Sequence, residues 1–250
     1  MKKTLWLTLA LLIGLLPPCA VAQDSPDYTG PIVTWNAPRE GSCWQIDARE
    51  PNLGLEFSAE DDSGIKQGIM WMKAGHHALT SDFSTWSRIW GHTYASGETA
   101  PPALREIVMV PMMGRAEGEY TFIIEFADMA HHNTTAKVLH TSVDFAAPTV
   151  AITSPVAGRV VCRDRNLYVK ATASDSGCGI ASLQLYLNEV TPTTPVAVDT
   201  SSPYQLVVPK ALLHVDSLRI LVKAIDKAGR SSLAEVTVRP TLICLVRGTR

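Results

Sequence analysis

The chain lacks the marks of most catalytic classes. It has no GxSxG elbow, no HExxH pair, no phosphate-cradling glycine loop and no carboxylate pair placed for a cleft, so hydrolase and nucleotide chemistry find no nucleophile, metal or cradle. It has no CxxC, so its cysteines do not read as a zinc module. It has no basic cluster. With 22 Lys and Arg against 24 Asp and Glu, and a formal net charge of −2, nothing suits nucleic acid or an anionic membrane surface. Helical periodicity is nearly absent, and beyond the first residues no apolar run is long enough to cross a bilayer.

The one long apolar run stands at the start. Lys2 and Lys3 precede "LWLTLALLIGLL" (residues 5–16), then Pro17 and Pro18, then Ala20 and Ala22 as the small residues before Gln23. This predicts a signal peptide over residues 1–22, cleaved before Gln23, because the run falls well short of the ~20 apolar residues of a spanning helix. Cys19 follows two prolines, where a lipoprotein signal wants small residues. The mature chain is therefore expected to be exported: periplasmic, secreted or at the cell surface. It keeps four cysteines, Cys43, Cys162, Cys178 and Cys244, and an even count in an oxidising compartment reads as two disulfides.

What is present is a unit written twice. "PIVTWNAPREG" (residues 31–41) and "PTVAITSPVAG" (residues 148–158) each run into a proline. "NLGLEFSAED" and "NLYVKATASD" follow, with Leu53, Leu55 and Phe57 on one face of the first and Leu167, Val169 and Ala171 on one face of the second. Period two means strands with one buried face. An acidic turn closes each, "SAEDDSGI" and "TASDSGCGI". Later, "YTFIIEFADMAHHNT" matches "LRILVKAIDKAGRSS", with Tyr120, Phe122, Ile124 and Phe126 alternating as Leu218, Ile220, Val222 and Ala224 do. Strands broken by turn signals at short, even intervals predict an all-β chain of two antiparallel sandwiches, over residues 31–146 and 147–250, after an N-terminal extension of residues 23–30. The segment "PKALLHVD" reads as a single helical turn or a loop.

Residues 148–240, with their aspartate-rich turn and "DKAG" hairpin, resemble a bacterial immunoglobulin-like domain of the kind strung along secreted and surface proteins. Residues 31–145 resemble a diverged copy, in which His131 replaces the hairpin glycine seen as Gly229 and about 16 extra residues separate Asp61 from Asp128. The resemblance implies two tandem immunoglobulin-like β-sandwiches and leaves function open. It also constrains the cysteines. In such sandwiches the latter part of the first strand runs beside the last strand, which brings Cys162 to Cys244. Cys178 lies a whole strand away from Cys162, which disfavours that pair. That leaves Cys43 with Cys178, whose bond would staple one domain to the other; the alternative is that one pair is free or intermolecular.

Within that frame the acidic turns are first of all turn formers, since Asp and Ser accept hydrogen bonds from the next backbone N–H groups and Gly supplies a positive φ. The sharper expectation is calcium, held by Asp61 and Asp62, with Glu60, at the same end as Asp128. No other cofactor is expected. Tryptophan is uneven: Trp35, Trp44, Trp71, Trp86 and Trp90 fall in the first unit and none in the second. Trp71 is expected as the core tryptophan of the third strand. Phe83, Trp86, Trp90 and Tyr94 lie in a lengthened segment (residues 80–103) rich in Ser, Thr and Gly. They serve either as extra apolar cover or as binding aromatics of the kind that sugars and protein interfaces use. The pairs His76–His77 and His131–His132 would take zinc or copper if their loops meet. The function expected is thus an exported, non-catalytic adhesion or interaction module with a protein or glycan partner at the cell envelope. The alternatives are a carbohydrate-binding protein using the first unit's aromatics and a periplasmic metal-binding protein using the histidine pairs.

Overall fold

The computed structural model describes residues 29–95, 98–130, 134–189 and 194–242. The predicted signal peptide, His131, His132 and Cys244 lie outside them. Among the described residues the first unit contains eight strands: β1 (Ile32–Ala37), β2 (Ser42–Gln45), β3 (Asn52–Glu60), β4 (Ile65–Ala74), β5 (Ser87–Thr93), β6 (Ala103–Pro111), β7 (Gly118–Asp128) and β8 (Thr134–Asp144). The second repeats them as β9 (Thr149–Ser154), β10 (Val160–Cys162), β11 (Leu167–Ser174), β12 (Ile180–Leu187), β13 (Ala197–Asp199), β14 (Tyr204–Val208), β15 (Leu218–Asp226) and β16 (Ser231–Thr241). The "PKALLHVD" segment forms one 3-10 turn, Lys210–Leu212.

Both units have one topology. Three strands make one sheet, in the order β1-β3-β6 and, in the second unit, β9-β11-β14; five make the other, β2-β8-β7-β4-β5 and β10-β16-β15-β12-β13. All pairings are antiparallel except β2 with β8 and β10 with β16. The parallel pairs arise where the chain leaves the small sheet after Pro38 or Pro155 and joins the edge of the large one. Proline has no N–H for the ladder, so the first strand ends there and the chain is free to cross.

The alternation seen in the sequence is the core. Leu53, Leu55, Phe57 and Ala59 of β3 face Tyr120, Phe122, Ile124 and Phe126 of β7, all buried. Val169 and Ala171 of β11 face Ile220, Val222 and Ala224 of β15 in a second cluster that shares no residue with the first. Each fully buried Leu, Ile or Phe contributes about 1.5–3 kcal/mol of transfer free energy, so each sandwich is held by its own interior.

The tryptophans packed against the core are Trp35 and Trp90, both partly buried, where Trp71 was expected. Trp71 points away from the sandwich interior, because Met70 and Met72 take the buried face of β4. Trp90, on the edge strand β5, turns inward against Phe57 (ring centroids 5.1 Å) and Phe126 (6.1 Å). Gly68 makes the room: a Cβ there would stand 2.8 Å from the Trp90 ring. The ladder between β4 and β5 shifts register between Met70 and Trp71, which accompanies this change of facing.

Candidate functional site

The lengthened connection of the first unit folds back over the outer face of the large sheet. Gly75, with φ +90°, turns the chain. Its N–H bonds the Glu119 carbonyl at 2.7 Å, the Thr121 hydroxyl donates to the Gly75 carbonyl at 2.7 Å, and the His77 N–H donates to the Thr121 hydroxyl at 2.9 Å. Thr121 and Ile123, on the outer face of β7, are consequently fully buried. Phe83 stacks on Trp71 (4.8 Å, 12° between planes), Trp86 meets Phe83 edge-on at 5.8 Å, and His77 meets Trp86 at 5.5 Å. Lys73 reaches over this layer, donating to the Thr85 hydroxyl at 2.8 Å with its ammonium 5.7 Å from the Trp86 ring centre. Trp86 and Phe83 are half-buried, and Leu79 of the same connection is 55% exposed.

The four aromatics singled out in the sequence therefore part company. Phe83 and Trp86 sit together on the outer face. Trp90 is partly buried and packs against the core. Tyr94 lies beyond the far end of β5, edge-on to His92 at 4.5 Å, with about 25 Å of extended chain between it and Trp86. Trp71, which sequence reasoning assigned to the core, joins the outer layer in place of Trp90.

His76 and His140 form a stacked pair. His76 stacks on His140 (3.9 Å, 11°) and its Nδ1 lies 2.9 Å from Glu119. His140 uses both ring nitrogens on acceptors: Nδ1 on the Glu40 carboxylate at 2.7 Å and Nε2 on the His77 carbonyl at 2.9 Å. Both partners are acceptors, so the geometry favours the doubly protonated ring. Burial alone would lower its pKa; the His77 carbonyl and Glu40 outweigh that and raise it. His131 and His132 lie outside the described residues.

The acidic turns are turn formers in both copies. Asp61 accepts from the Ser63 N–H (2.9 Å) and hydroxyl (2.6 Å), and Asp175 from the N–H groups of Gly177 (3.1 Å) and Gly179 (2.8 Å). Among the described residues, Asp61, Asp62 and Asp128 do not form a group whose ligand atoms all lie within 4.8 Å of one another. Asp61 is turned into its own loop and Asp128 is fully buried.

The second turn faces the first unit. Cys43 on β2 and Cys178 form a disulfide with α-carbons 6.0 Å apart. Cys162 is also disulfide-bonded; Cys244, the partner expected for it, lies outside the described residues. Around the Cys43–Cys178 bond, Ser176 donates to Glu117, which also accepts from the Phe145 N–H at 3.1 Å; the Ser176 hydroxyl first and that N–H second hold the Glu117 carboxyl below its usual range. Arg230 reaches across to the Ile46 carbonyl at 2.6 Å. Asp144, the last residue of β8, lies where a Cβ on Gly177 would come within 2.7 Å of it. Burial, and then the charges of Asp175 and Asp226, push the Asp144 carboxyl up to about 6. No local pattern announces this junction, since its residues come from five separated segments.

The fold is that of two tandem immunoglobulin-like β-sandwiches, joined by a disulfide. Residues 148–222 match the family model described as a bacterial Ig domain, and they fall within the second sandwich. Among solved structures, the chain is similar to the fibronectin(III)-like modules of Clostridium thermocellum CbhA, with 18% identity over 88% of this chain and 100% of that one and a TM-score of 0.43. It is similar to titin I-band fragment I67-I69, with 10% identity, 86% and 66% coverage and a TM-score of 0.41. It is also similar to a tetra-tandem repeat from the extending region of a large adhesion protein, with 13% identity, 86% and 50% coverage and a TM-score of 0.36. No curated protein matches the sequence. Among the described residues no helix is long and apolar enough to cross a membrane.

Proposed function

We propose that this chain is an exported, non-catalytic interaction module that binds a protein partner at the bacterial envelope through the outer face of its first sandwich, with the second sandwich as a fixed spacer. The observation that carries the reading is a comparison internal to the molecule. The second unit closes the same eight-strand topology with no tryptophan and with a β13 of three residues. The first unit adds a connection that lays Phe83 and Trp86 over its sheet, against Trp71 and Lys73 of β4. A fold that closes without this layer keeps it for another purpose, and half-exposed aromatics beside a cation are the usual anchors of a protein interface.

The test is capture of envelope proteins on the immobilised mature chain, compared with Trp86→Ala and with a variant altered only on the second sandwich. Capture lost with Trp86→Ala and kept by the other variant supports the reading. Capture indifferent to Trp86, or binding only to a glycan array, sinks it; the latter outcome would move the protein to the carbohydrate-binding class, whose flat-ring chemistry the same residues can serve.

A further inference from the structure

We propose that the junction between the two sandwiches is a divalent-cation site, with calcium as the ion its chemistry suits, formed by Asp144, Asp175 and Asp226. Asp144 ends β8 of the first sandwich, Asp226 ends β15 of the second, and Asp175 stands in the acidic turn after β11. Each offers a carboxylate oxygen, and these oxygens lie within 4.8 Å of one another. Ligand oxygens at the usual calcium distance are up to about 5 Å apart when they face each other across the ion, so this spacing is that of a single coordination sphere.

Proximity of acids alone would carry little. The decisive observation is that two of the three side chains are buried and each keeps one carboxylate oxygen without a hydrogen-bond partner. Asp144 is 0% exposed and Asp226 1%, and Oδ2 of each has no hydrogen-bond partner. Their other oxygens are engaged locally: Asp144 Oδ1 by the Ala146 N–H at 3.1 Å and Asp226 Oδ1 by the Arg230 N–H at 2.9 Å. Buried polar atoms without partners are rare, and a buried charge without one is costly.

The local charge points the same way. Against three carboxylates the junction supplies one guanidinium, Arg230, whose Nε stays 3.6 Å from Asp144 Oδ1, too long for a hydrogen bond. Its Nη2 is spent on the Ile46 carbonyl at 2.6 Å and, more weakly, on the Asp144 carbonyl at 3.4 Å. Glu117 adds a further carboxylate beside the same guanidinium, so negative charge is in excess at the junction. The ligands are all hard oxygens, which selects calcium or magnesium over softer metals, and the adjacent Cys43 and Cys178 sulfurs are tied up in their disulfide. Because one ligand comes from the first sandwich and two from the second, the ion would fix the angle between them beside the covalent staple.

The experiment titrates calcium into the oxidised, chelator-treated mature chain by calorimetry and follows the melting midpoint with calcium and with excess chelator. The expected result is one calcium per chain, a midpoint raised by calcium and lowered by chelator, and affinity weakened more than about tenfold in Asp144→Asn and in Asp226→Asn. In chelator the same two variants melt at or above the wild type, since each removes one of the crowded charges while keeping the oxygen that the backbone uses. Asp175→Asn, on the more open turn, gives the binding readout where a buried variant fails to fold. Absence of heat and of any midpoint shift at millimolar calcium overturns the proposal. So does binding that survives these substitutions, or destabilisation by the Asn variants equally with and without calcium.

Discussion

Trp90 occupies the space that Gly68 leaves open on the neighbouring strand, its ring 2.8 Å from where a Cβ would stand. The two residues act as one packing unit between Phe57 and Phe126. Gly68→Ala should destabilise the first sandwich by about 1–3 kcal/mol through overpacking, and Trp90→Ala by about 3–5 kcal/mol through the cavity it leaves. Urea melts followed by tryptophan fluorescence check both; a Trp90→Ala protein as stable as the wild type would show that the ring is peripheral.

Trp86→Ala should behave in the opposite way. Its ring lies over the outer face, in contact with Phe83, His77 and Lys73 rather than with the core. Removing it should cost about 1 kcal/mol or less of stability and about 2 kcal/mol or more of partner binding, as an anchor residue does. A melt and a binding isotherm on the same preparation separate the two effects.

These two tryptophans also show how far the sequence could be read. The strands were legible because alternation of side chains has a fixed period, and Leu53, Leu55 and Phe57 sit inside as their spacing requires. The Cys43–Cys178 pairing was legible because strand topology brings the two ends together. Facing was not legible at Trp71 and Trp90, because it turns on a register shift and on the missing side chain of Gly68, neither of which alters the pattern of apolar residues. The His76–His140 stack and the Asp144, Asp175 and Asp226 cluster were invisible for a different reason: their members are far apart in the chain and belong to no motif.

His140 makes stability depend on pH. Its folded pKa is raised above the ordinary 6.5, so the folded state holds its proton more tightly than the unfolded state does. The contribution is therefore fully present below the unfolded value and is lost as pH rises through the folded one. Melting midpoints of the wild type and of His140→Gln, compared from acid to mildly alkaline pH, should differ most below about pH 6.5 and converge above the folded pKa. A difference that widens with rising pH would reverse the assignment of the ring as a cation.

Cys43→Ser with Cys178→Ser should leave both sandwiches folded, since their cores are separate. It should lower stability by about 2–4 kcal/mol, the usual effect of opening a long loop. Scanning calorimetry should then resolve two transitions where the oxidised chain gives one. Retention of a single transition would mean that Arg230 and Glu117 couple the units without the bond.

The staple has a mechanical meaning as well. It joins residues 135 apart in sequence, so a load applied to this stretch of chain from points before Cys43 and beyond Cys178 passes through sulfur and bypasses nearly the whole of the first sandwich. About 450 Å of contour length is withheld from extension while the bond stands. The aromatic face of that sandwich would keep its shape under tension sufficient to unravel an unprotected domain, and a reducing environment would release the slack.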